Sequence, residues 1–111
     1  MAYLIDYNKI NTSAGYEVIA PARIRQYVEY KGYLILNVAP NKSDKEYGNF
    51  QGGNILCYDE YANFKWQSKS INVAEIFIEK DGLHFYDTSS IGFDCLIDVE
   101  TGNIIKMEPT K

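Results

Sequence analysis

Apolar and polar residues alternate with a period of two along most of this chain. That is the spacing of a half-buried β-strand, not of a helix. Ten Tyr, five Phe and many Ile and Val reinforce the preference for strands. The pattern predicts four hairpins in succession. Ile24 to Tyr30 and Tyr33 to Val38 flank the two-residue loop Lys31-Gly32. Ile55 to Asp59 and Phe64 to Gln67 flank Glu60-Tyr61-Ala62-Asn63. Val73 to Glu79 and Leu83 to Asp87 flank Lys80-Asp81-Gly82, whose Asp-Gly suits a left-handed turn. Phe93 to Val99 and Asn103 to Met107 flank Glu100-Thr101-Gly102. Residues 39–52 form the one long polar loop, and Tyr3 to Tyr7 and Tyr16 to Ala20 add a strand or two before Pro21. A single helical turn within 9–23 is the most helix the pattern has room for.

The strands repeat. Gly53 to Asp59 aligns with Gly92 to Asp98, and the same offset places Asn63 on Gly102 and Trp66 on Ile105. Upstream, Tyr30 to Leu34 matches Lys80 to His84. A strand ending in Asp, a turn with Gly four positions on and an aromatic three later is the pattern of quinoprotein-type (PQQ-like) β-propeller blades, which these repeats resemble with Asn63 in place of the Gly and Ile105 in place of the aromatic. Here those residues are Asp59, Asn63 and Trp66, and Asp98, Gly102 and Ile105. The resemblance covers residues 24–107 and implies two four-stranded up-and-down sheets. Two blades cannot close a propeller of four to eight, so no quinone cofactor is carried over and none is expected. The fold expected is an all-β, antiparallel sandwich of about eight strands built from two blade-like meanders at 24–67 and 73–107, with 1–22 as an N-terminal strand or loop segment of one domain.

Parity assigns the faces. In Phe93 to Val99 the odd positions face the core and Asp94, Leu96 and Asp98 point outward. In Val73 to Glu79, Ala74, Ile76 and Ile78 face inward, leaving Glu75, Phe77 and Glu79 outside. Either His84 and Tyr86 or Leu83, Phe85 and Asp87 complete that outer face, and the first pair is preferred. An apolar centre ringed by charge of one sign suits a basic protein partner.

Composition sharpens this picture. The 111 residues carry a net charge of −4, and six Lys/Arg against five Asp/Glu before residue 56 give way to five against ten after it. Nucleic acid and anionic membranes are therefore disfavoured as partners of the C-terminal half. No apolar run reaches membrane-spanning length and no secretory signal opens the chain, so a cytoplasmic location is expected. Cys57 and Cys95 fall on opposite faces of the repeat and are expected to be reduced. Candidate chemistry is sparse. His84 is the single histidine, which rules out a zinc site built on several His, and Cys95 and His84 have opposite parity. Asp44-Lys45-Glu46 lacks the spacing of a calcium loop and Gly52-Gly53 has no Lys or helix after it to hold phosphate. Trp66 reads as a core anchor, and Tyr47 and Phe50 as candidate recognition residues in the long loop. No catalytic group and no metal site is assigned. The profile is similar to small acidic bacterial immunity proteins that inhibit nuclease toxins. That likeness implies a monomer or weak dimer that blocks a basic active site with Glu75, Phe77, Glu79, His84, Tyr86, Asp94, Leu96 and Asp98. A protein-interaction or carbohydrate-binding module, or a propeller-derived domain that assembles through open sheet edges, is the alternative. An enzyme using the carboxylates ranks third.

Overall fold

The computed structural model describes residues 1–39, 50–89 and 91–110. Tyr47, Gly48 and Asp44-Lys45-Glu46 of the long loop therefore lie outside the described residues. No helix is present among those described, and every sheet is antiparallel. The expected eight-stranded sandwich is corrected: among the described residues eleven strands form three sheets. Strands β1 (Tyr3–Asp6), β2 (Lys9–Asn11) and β3 (Glu17–Ile19) make an N-terminal sheet. The central sheet holds β4 (Ile24–Tyr30), β5 (Tyr33–Val38), β6 (Ile55–Asp59) and β7 (Phe64–Gln67). The C-terminal sheet holds β8 (Val73–Glu79), β9 (Gly82–Asp87), β10 (Phe93–Ile97) and β11 (Ile104–Pro109).

The central sheet is buried on both faces. Leu34, Leu36, Val38 and Leu56 pack with Ile10, Val18, Ala20 and Ala22 on one side. Ile35, Ile55, Cys57 and Trp66 pack with Ile76, Leu83, Phe85, Cys95 and Ile97 on the other. The unbroken apolar runs Tyr33-Leu34-Ile35-Leu36 and Ile55-Leu56-Cys57 are what two-sided burial demands. A third layer is thus required, and residues 1–22 supply it, with buried Ile10 and Val18 as its core side. Cys57 and Cys95 do lie on opposite faces of their own sheets. Because the sheets stack, both thiols face the same interlayer core, where each is free. Burial pushes the Cys57 thiol up to about 12 and raises the Cys95 thiol as well, which keeps both protonated and disfavours either as a nucleophile.

The central and C-terminal sheets match pair for pair. Ile24 faces Val38 as Val73 faces Asp87, and each first strand then carries a bulge, at Arg25 and at Ala74. Cys57 faces Trp66 as Leu96 faces Lys106, and each fourth strand bulges just before that pair, at Lys65 and at Ile105. The registers correct the sequence alignment by one residue, throughout the first hairpin, where Tyr30 matches Glu79 and Leu34 matches Leu83 and not Lys80 and His84, and after the β6–β7 and β10–β11 turns. The left-handed turn residue equivalent to Gly102 (φ 78°) is Ala62 (φ 68°), not Asn63, and the residue equivalent to Trp66 is Lys106, not Ile105. The bulge also corrects the parity of β8. Val73 and Ile76 are buried, Ala74 is exposed, and Ile78 is 42% exposed near the end of the strand.

Side chains join the layers at equivalent carbonyls. Thr12 Oγ1 donates to Glu60 O from the N-terminal sheet, and Trp66 Nε1 donates to Val99 O, 2.7 Å away, from the central sheet. Glu60 and Val99 each directly follow the strand-ending Asp of their meander. Buried Asn54 donates to Asn37 Oδ1 and Val73 O and accepts from Val73 N–H. Gln26 both accepts from Ile76 N–H and donates to Ile76 O, standing in for a strand along the edge of β8.

Candidate functional site

The outer face of the C-terminal sheet gathers seven of the eight residues singled out in the sequence. Its registers lay out two rows. Glu75, Tyr86, Asp94 and Glu108 form one, and Phe77, His84, Leu96 and Lys106 the other. Glu79, opposite Gly82, and Asp81 in the β8–β9 turn flank the second row on its far side. A band of buried His84 between half-buried Phe77 and Leu96 therefore runs between carboxylates on both sides. Asp98 is not part of it. Its carboxylate accepts the Glu100 N–H and holds the β10–β11 turn, as Asp59 holds the β6–β7 turn through Tyr61 and Asn63 N–H. The strand-ending Asp is thus a turn cap in both meanders.

His84 sits at the centre. Its Nδ1 lies 2.6 Å from Asp94 Oδ1 and its Nε2 lies 2.6 Å from Asp81 Oδ1, and Phe77 stacks on the ring at 5.1 Å. Two ionised carboxylates only accept, so both bonds require both ring nitrogens to carry protons. Desolvation is the largest single influence and lowers the His84 pKa. The hydrogen bonds to Asp81 and Asp94, with their charges, together outweigh it and raise the pKa above 6.5. The same bond holds the Asp81 carboxyl below its ordinary range.

These shifts fix a pH dependence. The raised His84 contribution is complete below pH 6.5 and lost as pH rises through the folded-state value. The lowered Asp81 contribution is present above its unfolded value and lost as pH falls through the folded one. Urea midpoints of the wild type should therefore decline relative to His84→Gln as pH rises above 6.5 and through the raised folded-state value. Parallel profiles for the two proteins would show that His84 is not held as an imidazolium.

Sequence reasoning missed Asp81, Lys106 and Glu108 on this face. The alternation Lys106-Met107-Glu108 carried the signal for two of them, but the bulge at Ile105 hid their register. Phe50, expected in a recognition loop, packs against the core beside the N-terminal sheet. Trp66 is 7% exposed and packs between Phe85 and Gly102, an anchor and not a platform. Cys95 and His84 lie on opposite faces of the C-terminal sheet. Among the described residues no group of three or more His, Cys, Asp and Glu is placed to hold a metal ion, and no helix is long and apolar enough to cross a membrane. Comparison with protein-family models, with curated proteins and with solved structures finds no match for this chain.

Proposed function

We propose that this chain is an acidic binding protein that docks a basic protein through the outer face of its C-terminal sheet. One observation carries this reading. By the pairing shared between the meanders, this face is equivalent to the face of the central sheet on which the C-terminal sheet itself is stacked. It has the shape of a surface that receives another layer. Its chemistry differs at matched positions: Tyr30 becomes Glu79, Ile35 becomes His84, Ile55 becomes Asp94 and Trp66 becomes Lys106. Phe77 and Leu96 keep the apolar character of Val28 and Cys57. Phe77 and Leu96 on either side of the bracketed His84, between carboxylates, suit a partner with apolar contacts framed by Lys or Arg. A nuclease toxin is such a partner, since its phosphate-binding cleft is basic. Occlusion of that cleft would be the mechanism, with association accelerated by charge and weakened by salt.

The charge-matching reading has a clean test. Glu75 and Glu79 are exposed, whereas reversing Asp94 would also break the bracket around His84, and reversing Asp98 would open a turn. Tagged wild type and Glu75→Lys/Glu79→Lys are used to capture proteins from the native source at low and high salt, with capture identified by mass spectrometry. The wild type should retain one basic protein stoichiometrically. The double variant should bind it at least about a hundredfold more weakly, as two lost and reversed charge contacts imply, at an unchanged melting temperature. Retention equal in both proteins would remove this face as the site. If nothing is retained, the charged residues only terminate the stack, as polar end repeats do in layered proteins.

A further inference from the structure

At the opposite end of the stack the N-terminal sheet has three strands where the other two sheets have four. Its edge strand β1 is exposed along its whole length. Seven of the sixteen large exposed apolar side chains among the described residues belong to residues 1–19, including Tyr3, Leu4 and Ile5 of β1 itself. An exposed strand edge with apolar side chains is a template for another strand unless it is guarded.

The other edges are guarded. β11 carries Lys106 and Pro109, and β7 carries Lys65. β3 has only three residues and runs into Pro21. β8 and β4 are joined along their edges by the Gln26 side chain. β1 has neither Lys nor Pro, and its bulge at Ile5 adds an apolar side chain with no partner in β2.

We propose that a second copy of this chain fills the vacant place, its β1 pairing antiparallel with β1 across a two-fold axis to make one six-stranded sheet. Such an interface is isologous and closes on itself, whereas pairing β1 with β11 of another copy would propagate into a fibre. Charge favours self-association at this edge. Its one charged residue, Asp6, lies opposite Lys9 in the β1–β2 register and accepts the Tyr7 N–H. The outer face of the C-terminal sheet would set its carboxylates against those of the second copy. The two surfaces lie at opposite ends of the stack, so a dimer leaves both acidic faces free.

Sedimentation velocity across a concentration series, at low and high salt, tests this. The wild type should pass from monomer to dimer, and no further, over about 10 to 300 µM, the range expected of an edge contact smaller than a standard interface. The midpoint should be insensitive to salt. Leu4→Lys should weaken the dimer at least about tenfold by opposing like charges, while Lys106→Glu on β11 should not. In the wild type the amides of Tyr3–Asp6 should exchange more slowly as concentration rises, which needs no variant to fold. A wild type that stays monomeric, a dimer broken at β11 instead, or β1 amides indifferent to concentration would each overturn the proposal.

Discussion

Trp66→Ala should lower stability by about 4 kcal/mol, the cost of emptying a buried tryptophan site. The indole is 7% exposed, packs against Phe85 and joins the two larger sheets by donating to Val99 O. The reading rests on a partner residue as much as on the ring. A Cβ on Gly102 would lie 2.5 Å from the indole carbons, and Gly102 holds φ at 78°, where L side chains are strained. Gly102→Ala should therefore destabilise as well, by about 2 kcal/mol or more from overpacking and strain. In the double variant the clash is gone and only the backbone strain remains, so the two losses should fall short of their sum by at least about 1 kcal/mol. Trp66 is the only tryptophan, so urea unfolding must be followed by circular dichroism. Additive losses would mean that Trp66 does not dock on this turn.

Asn54→Leu should cost about 3 kcal/mol despite exchanging a polar core residue for an apolar one of similar size, because several buried partners lose their bonds at once. Asn54 is 1% exposed and binds both the N–H and the carbonyl of Val73 together with Asn37 Oδ1. Arg25 also donates to Asn37 Oδ1 and Val73 O, and Asn37 donates to Ala74 O. This network fastens the bulge of β8 to the central sheet, and the bulge sets which residues of β8 reach the acidic face. The Val73 amide should exchange faster in the variant than the loss of global stability alone explains. A loss below about 1 kcal/mol would show that the network is dispensable. If the proposed docking face is right, capture of the basic partner should weaken in the same variant, since Glu75 follows the bulge directly.

The hairpins could be read along the chain because each is a local matter. Lys31 and Gly32 both take positive φ, as a two-residue hairpin with right-twisting strands requires. Strand boundaries such as Ile24–Tyr30, Ile55–Asp59 and Val73–Glu79 follow directly from alternation between turns. The composition of the outer face follows from parity in β9 and β10, where no bulge intervenes. Parity failed where a bulge inserted a residue. Ala74 and Ile105 carry no local mark of a bulge, since Ala and Ile are ordinary strand residues.

Which residues share a face of one sheet is decided by the period of the chain, because successive side chains on a strand point to opposite sides. That much the amino-acid order determined by itself, together with the charge of that face. The tertiary structure alone decided that three sheets stack instead of two and that Cys57 and Cys95 share one core. It also brought Asp81 and Asp94 to the two nitrogens of His84, and placed β1 at the edge of its sheet among the described residues. Each of these depends on which sheet covers which, and that choice rests on complementary burial between segments far apart in sequence.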